Sequence, residues 1–406
     1  LESAVECLSS ANPFASFGDL PFGQENQYSF GLQLTQNLFT GGRLSGQTRA
    51  AKANRRASRI GLTAAEAQLT LDVTLAYFDA LLADRLLEIA EASLRQADST
   101  FEQTRLAEQV GTLAEFDRLR AEVARDNQRP VVIQRRAERD IAYLRLKQSM
   151  DLPADRAVVL TSSLNDSTAA PVPGVPMILE VTDLAVDRRA PVLQAAAGVE
   201  AQEGFLKAAR AQHFPTLALT SSFVQFAYPS SGFPGADDFL TDWTVGLSLQ
   251  LPLFTGGRIS GDVQVARANL EEARQRLRQT RKFAELDAFS TDTRLESARA
   301  TWEASTGTVQ QARRAYEIAG IRFREGISTQ LEFNDARLQL QQSEANRAQA
   351  VRDLQLARVR AALLPNLPLA GTAGTAPAMQ PSAMTTSPAQ EGNRVPGVSP
   401  TGLTAP

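Results

Sequence analysis

Apolar and polar residues alternate in two short segments of the chain, which predicts β-strands with two different faces. In the segment 243–251, WTVGLSLQL, the odd-numbered residues are apolar and the even-numbered ones are small or polar. The segment 28–35, YSFGLQLT, has the same alternation with its apolar residues at even positions. Successive side chains of a strand point to opposite faces. Strands of about ten residues that begin with an aromatic fit a transmembrane β-barrel, and a half-buried strand of a soluble sheet fits each segment as well.

Long proline-free stretches with a coiled-coil pattern follow both strands. In the stretch 43–109, apolar residues recur at alternating spacings of four and three: Leu71, Leu75, Phe78, Leu82, Leu86 and Ile89. This spacing is typical of a coiled-coil seam. A helix of about 65 residues has a length of about 100 Å. The stretch 259–324 is again free of proline, and shorter helices are predicted at 113–150 and 331–364.

The strand and the long helix are joined by a motif that occurs twice. The sequence LFTGGR at 38–43 recurs letter for letter at 253–258, an offset of 215 residues. A turn between two helices also recurs, at 105–117 and 322–334, with an offset of 217 residues. The predicted strand-to-helix turns contain two glycine pairs: Gly41, Gly42, Gly256 and Gly257. The chain therefore contains two copies of one strand–helix–helix unit.

These patterns divide the chain into two repeats, a linker and a tail. The first repeat is predicted at 1–152, with strands at about 1–10 and 28–39 and helices at about 43–109 and 113–150. A linker follows at 153–177. The second repeat is predicted at 178–364, with helices at about 178–212, 259–324 and 331–364 and strands at 216–226 and 243–253, and a tail follows at 365–406. The tail is rich in Pro, Ala, Gly and Thr and should be disordered. When the offset between the two LFTGGR motifs is applied, residues 1–8 match a strand of the second repeat. The helix that precedes this strand in the second repeat has no counterpart in the first. We therefore expect the chain to begin inside a strand of a longer precursor.

Composition argues against several classes of function. The formal charge is −3 with 21% charged residues, so no basic excess favours nucleic acid as a partner. Cys7 and His213 are single, which excludes a disulfide within the chain, a His/Cys metal site and Cys/His catalysis. We expect no catalytic residues, no cofactor and no metal. No apolar stretch of 18 or more residues predicts a transmembrane helix.

The duplicated strand–LFTGGR–helix unit, with a short glycine turn between two long helices, resembles the TolC-like outer-membrane efflux proteins. The resemblance covers about residues 1–364. It implies a mainly α fold with a small β part, in which long coiled-coil hairpins in two repeats form an α-barrel in a homotrimer. Each chain would give four strands to a twelve-stranded transmembrane β-barrel in the outer membrane of a Gram-negative bacterium, with most of its mass in the periplasm.

The same resemblance implies a function. The protein would be a passive duct for efflux or type I secretion, surrounded by outer-membrane lipid at its strands. An inner-membrane pump would supply the energy, and a periplasmic adaptor (membrane fusion protein) would open the duct at its tip. The implied adaptor-docking residues are those of the two turns: Val110, Gly111, Thr112, Leu113, Gly326, Ile327, Ser328 and Thr329. Without the resemblance, these residues are ordinary helix-ending turns.

A second implied region is a pore constriction just inside the tip. The matching acidic residues are Asp117, Glu332 and Asp335; in a trimer each becomes three like charges near one axis, which attract cations. A solvated helix face is the alternative interpretation. Two gate positions depart from the family pattern, because Phe323 and Ser328 stand where some relatives have Tyr and Arg. Neither can hydrogen-bond Asp117 in the usual way, and Arg118 or Arg105 could replace them.

One alternative comes from another functional class, a periplasmic coiled-coil adaptor or scaffold without a membrane barrel. It explains the helices and the turns, but not the duplication, because adaptors carry their helical hairpin once. Within the channel interpretation, drugs, metals and proteins remain open as exported substrates. The absence of Met, His and Cys clusters argues against a dedicated copper or zinc relay.

Overall fold

A computed structural model describes residues 26–162, 164, 186–229 and 232–369 and confirms a mainly α fold with a small β part. The regular elements, in chain order, are β1 (Tyr28–Phe39), α1 (Arg43–Gln109), α2 (Glu115–Asp126), α3 (Gln128–Ser149), α4 (Ala190–Arg210), β2 (Thr216–Ala227), β3 (Phe239–Gln250), α5 (Arg258–Arg324) and α6 (Gln330–Leu363). Short 3-10 turns flank α4 and precede β3. The strand predicted at about 1–10 lies outside the described residues.

Two helices of 67 residues, α1 and α5, set the dimensions of the fold. At 1.5 Å per residue each is about 100 Å long. Each begins directly after a glycine in the left-handed region, with φ 92° at Gly42 and 83° at Gly257. Residues other than glycine rarely adopt such angles, which explains why the repeated motif carries Gly-Gly where the chain turns from strand into helix.

The helices pack side by side around α1 and α5. α1 contacts α4, α3 and α6, whereas α5 contacts α4 and α6. Near the start of α1 the backbones approach closely, since a Cβ added to Gly204 would lie 2.7 Å from the carbonyl oxygen of Gly46. Ion pairs flank this crossing, including Arg49 Nη2 to Glu203 Oε2 at 2.8 Å. Further along, Arg352 Nε of α6 donates to Asp79 Oδ1 at 2.8 Å.

Buried apolar side chains form several small clusters along the helices. One contains Phe78, Leu81 and Val351 together with Leu164 of the predicted linker. Leu164 is fixed in this cluster because its side chain covers apolar surface of α1 and α6.

The segment that follows α6 differs from the prediction of a disordered tail starting at residue 365. Leu367 and Leu369 are 3% and 5% exposed, and Leu369 packs against Val192 of α4. The N–H of Ala190 donates to the carbonyl of Pro365 at 2.8 Å. The prediction is therefore wrong for 365–369, because this segment buries two leucines and is joined to α4 by Leu369 and by the backbone of Pro365.

Two predicted helices also differ from the structure. The helix predicted at 113–150 is divided into α2 and α3 at Asn127. Pro130 lacks the N–H that would donate to the carbonyl of Asp126, which weakens the helix at this point. For the helix predicted at 178–212, the described part consists of α4 flanked by the two 3-10 turns.

The three described strands form one antiparallel sheet in the order β1-β2-β3. β2 pairs with β1 of the first repeat and with β3 of its own repeat. β3 lies earlier in the chain than the predicted strand 243–253, because its pairing with β2 runs from Phe239 opposite Ala227 to Gln250 opposite Thr216. Among the helices of the described segments, none is both long and apolar enough to cross a membrane.

Candidate functional site

The first tip turn, residues 110–114, reverses the chain between α1 and α2. Gly111 has φ 78°. Its N–H donates to the carbonyl of Glu108 at 2.8 Å, and the N–H of Thr112 donates to the carbonyl of Ala107 at 2.9 Å. These two hydrogen bonds around a left-handed glycine define a Schellman motif, which satisfies the last carbonyls of a helix.

The second tip turn, residues 325–329, has the same construction. Gly326 has φ 70°, and its N–H donates to the carbonyl of Phe323 at 3.1 Å. The N–H of Ile327 donates to the carbonyl of Arg322 at 2.8 Å. The two repeats therefore end their long helices with the same backbone geometry.

The tip turns present apolar side chains and open backbone to solvent. Val110 is 74% exposed and Ile327 is 66% exposed. A Cβ added to Gly111 or Gly326 would meet no atom within 4 Å. Of the predicted docking residues, six are exposed and two are half-buried: Val110, Gly111, Thr112, Gly326, Ile327 and Thr329 against Leu113 and Ser328. Nothing in the chain itself covers this surface within the described residues, so it is accessible to a partner.

Two of the predicted constriction carboxylates, Asp117 and Glu332, lie on the first helical turns that follow the tips, and Asp335 lies on the next turn of α6. Asp117 on α2 is half-buried, whereas Glu332 and Asp335 on α6 are exposed. Asp335 Oδ2 accepts a hydrogen bond from Gln339 Nε2 on its own helix at 2.9 Å. In the part of the chain that the structure describes, none of the three carboxylates forms an ion pair.

The two arginines predicted as substitute partners of Asp117 bind elsewhere. Arg118 Nε lies 2.9 Å from Glu108 Oε2, and Arg118 Nη1 lies 2.9 Å from Glu122 Oε2. Arg105 Nη2 lies 2.6 Å from an oxygen of Glu102 on its own helix. Neither arginine takes the place of the usual partner of Asp117 within the described residues, because nearby glutamates already occupy both guanidinium groups.

A residue that the sequence analysis missed joins the two tips. Gln330, the first residue of α6, is 3% exposed. We assign its side-chain amide with the nitrogen toward the carbonyl of Asp117 and the oxygen toward the N–H of Ala121, because this orientation gives both polar atoms a partner. The nitrogen then donates to that carbonyl at 2.9 Å and the oxygen accepts from that N–H at 3.1 Å. A glutamine at a helix start has no distinctive sequence pattern, and its position directly after the turn is the only signal that marks it.

An aromatic stack holds α5 against α6 close to the tip. The ring centroids of Phe323 and Phe333 are 5.4 Å apart with an interplanar angle of 4°, and Tyr316 stacks on Phe333 at 5.3 Å. Burial raises the pKa of Tyr316, and burial lowers the pKa of the neighbouring Arg337, whose Nη1 donates to Ser93 Oγ at 2.7 Å. Phe323, which departs from the family pattern, therefore packs within its own hairpin.

The two LFTGGR turns have different surroundings. A Cβ added to Gly41 would lie 2.6 Å from Cβ of Phe214, so the segment after α4 covers the first turn. A Cβ added to Gly256 would meet nothing within 4 Å. Leu253 and Phe254 beside it are 88% and 91% exposed. The first turn is therefore covered at Gly41, whereas the second is open at Gly256, and its Leu253 and Phe254 are more exposed than Leu38 and Phe39, which are 54% and 50% exposed.

The sheet has one mainly apolar face and one mainly polar face. On one face Leu32 pairs with Phe223, which pairs with Trp243. Leu32 is 62% exposed and Trp243 is 70% exposed. The neighbouring row on the opposite face consists of small polar residues: Gln33, Ser222 and Thr244. An exposed apolar face of this kind requires a lipid or protein partner.

Within the described ranges, no group of three or more His, Cys, Asp or Glu side chains is arranged to hold a metal ion. The candidate site consists of carboxylates, exposed apolar surfaces and backbone turns.

Comparison with known proteins identifies the family. The sequence profile of the family described as "Outer membrane efflux protein" matches residues 13–151 and 181–375, which is more than half of the chain. Nodulation protein T of Rhizobium leguminosarum bv. viciae is 23% identical over 349 residues, which cover 84% of this chain and 70% of that protein. Toluene efflux pump outer membrane protein TtgF of Pseudomonas putida is 26% identical over 332 residues, 78% of this chain and 65% of that protein.

The chain thus spans about two thirds of the length of these relatives. A solved structure of CusC, reported as forming a transmembrane channel, superposes with a TM-score of 0.70 over 83% of this chain and 77% of that one, at 19% identity. The likeness to CusC supports the same fold, and the family match favours an outer-membrane efflux protein over an adaptor or scaffold. The chain belongs to the outer membrane efflux protein family.

Proposed function

We propose that this protein is the outer-membrane channel of a tripartite efflux or type I secretion system. It acts as a passive trimeric duct, which a periplasmic adaptor opens at the tip and an inner-membrane pump supplies with substrate. The observation that carries the proposal is the two-faced sheet joined directly to helices of 67 residues. Such a chain can line a path through the membrane with its sheet and through the periplasm with its helices.

The sheet supports insertion in the outer membrane. Its apolar face carries exposed Leu32, Trp243 and Leu247, and a bilayer satisfies such a face. Trp243 Nε1 on this face donates to Ser221 Oγ at 3.1 Å, so its polar atom has a partner within the sheet. Because β1 and β3 are the edge strands of the described sheet and a bilayer disfavours open edges, closure needs further strands. Four strands from each of three chains would provide them.

The bare LFTGGR turn supports the trimer. In the first repeat, Phe214 packs on Gly41. In the second repeat, Leu253 and Phe254 are almost fully exposed, and the space beside Gly256 is empty. Since the two turns have the same sequence, the second should receive an equivalent cover from a neighbouring copy.

Exposed apolar residues on the helices near the tips also support a trimer. On α2, Phe116 and Val123 are seven residues apart and are 66% and 59% exposed. On α5, Ile318 and Ile321 are 45% and 51% exposed. A spacing of seven is that of a coiled-coil seam. We propose that α2 of one copy packs against α5 of the next and closes the helical wall.

The adaptor is proposed to dock at the tip turns. Val110 and Ile327 supply exposed apolar contacts, and Gly111 and Gly326 leave the backbone accessible. In the trimer six such turns would lie at one end, which suits a partner that itself presents helical hairpins. This end is the natural place for a change between closed and open states.

Ion conduction tests the channel and its constriction together. Purified protein in a planar bilayer should conduct, and trivalent hexaamminecobalt added on the tip side should block the current. Replacing Glu332 and Asp335 with alanine should weaken this block by at least about tenfold, because six carboxylates near the axis are removed. Glu272→Ala, an exposed carboxylate on α5 far from the tip, serves as the control. An unchanged block in the double variant would show that these carboxylates do not line the pore.

A further inference from the structure

A buried, uncharged side chain connects the second tip with α2. Gln330 follows the second tip turn directly and is 3% exposed. A buried polar side chain requires hydrogen-bond partners, and an unpaired one is strongly unfavourable. Both polar atoms of its amide find partners on α2, a helix that belongs to the other repeat.

The partners are two backbone groups four residues apart. In the assigned orientation, the amide nitrogen donates to the carbonyl of Asp117 at 2.9 Å and the amide oxygen accepts from the N–H of Ala121 at 3.1 Å. In a regular α-helix, this carbonyl and this N–H are partners of each other. Gln330 therefore binds both groups of one helical hydrogen bond and fixes α2 at the residue that carries a constriction carboxylate.

The two gate positions that depart from the family pattern do not make this connection. Phe323 stacks on Phe333 within its own hairpin. Ser328 Oγ is buried and has no hydrogen-bond partner among the residues that the structure describes. The side chains at these positions thus do not bind the Asp117 carboxylate, and α6 bonds to α2 two residues further along the chain, through Gln330.

We propose that Gln330 is the latch that holds the two tips of each subunit together, and that the gate opens when its amide releases α2. This inference rests on the proposed function, since it assumes that the tips form the gate. Gln330 acts as a positioning residue, because it sets the place of Asp117 through the backbone. A latch of neutral hydrogen bonds, unlike an ion pair, is little affected by ionic strength.

The test compares Gln330→Met with the wild type in the full-length, detergent-purified protein. Methionine keeps the length of the side chain and removes both hydrogen bonds. Hydrogen–deuterium exchange, measured by mass spectrometry, should become roughly tenfold faster in peptides from α2 and remain unchanged in α4. In planar bilayers the open fraction should rise roughly tenfold, by a similar factor at low and high salt.

Two further variants make the test specific. Gln342→Met removes the hydrogen bond from Gln342 Nε2 to Asn346 Oδ1 on the surface of the same helix and should change neither measurement. Gln330→Glu keeps an acceptor for Ala121 but cannot donate to Asp117, and it should also loosen α2. Unchanged exchange of α2 in Gln330→Met would overturn the latch. A wild type without any conductance would instead refute the proposed function, while the exchange result would still report on the contact.

Discussion

Replacing Gly111 and Gly326 with arginine is expected to abolish coupling to the adaptor while leaving the fold intact. Both glycines have positive φ, and a Cβ at either position meets no atom within 4 Å. A side chain at these angles costs about 1–2 kcal/mol of stability, which a large helical protein tolerates. Six arginines in a trimer would then project from the proposed docking end. Binding of the purified protein to the adaptor of its pump should weaken roughly tenfold or more.

Gly111→Ala combined with Gly326→Ala is the matched control. It imposes the same backbone strain but adds only one methyl group per turn, so adaptor binding should remain close to wild type. If the arginine variant bound the adaptor and supported export normally, the tip turns would be helix-ending turns and nothing more. If both variants lost binding equally, backbone strain rather than added bulk would be responsible.

Gly204→Ala is expected to destabilise the protein, although a change from glycine to alanine within a helix is normally favourable by about 1 kcal/mol. The added Cβ would lie 2.7 Å from the backbone nitrogen of Ala50 and from the carbonyl oxygen of Gly46. Because backbone atoms cannot rotate away, α4 and α1 would have to separate along their contact. Overpacking of this kind costs about 2–3 kcal/mol, which thermal unfolding followed by circular dichroism in detergent would detect.

Gly198→Ala on the same helix is the control for this substitution. A Cβ at Gly198 meets no atom within 4 Å, so alanine there should leave the stability unchanged or raise it. Opposite signs for the two substitutions would establish the close crossing of α1 and α4. Equal effects would mean that the two helices are not in backbone contact at Gly204.

The fold class could be predicted from the sequence because its signals are long and repeated. The proline-free stretch 43–109, with its coiled-coil spacing from Leu71 to Ile89, predicts one long helix, and the alternation at 28–35 predicts a strand. The repeated LFTGGR motif then predicts that both units have the same construction. Each of these signals depends on many residues, so no single side chain decides the outcome.

The elements that differ from the prediction depend on single residues or on tertiary contacts. The division between α2 and α3 at Asn127 follows from one proline in a strongly helical context. The docking of 365–369 depends on whether Leu367 and Leu369 find an apolar surface, which the composition of the tail does not reveal. Local composition describes the average of a segment, whereas burial depends on what lies beside it.

The candidate site shows the same division. The glycine turns were predictable, because positive φ restricts the residue type and both repeats carry the signal. The contact between the second tip and α2 could not be predicted, because Gln330 and its partners on α2 belong to different repeats. The engagement of Arg118 by Glu108 likewise depends on how α2 lies against α1.

The most direct test of the account is to image the detergent-purified protein by electron microscopy. The trimeric duct predicts a hollow cylinder with three-fold symmetry, at least about 100 Å long, with a belt of detergent at one end only. A solid rod that stays soluble without detergent would contradict the duct and would favour a coiled-coil scaffold.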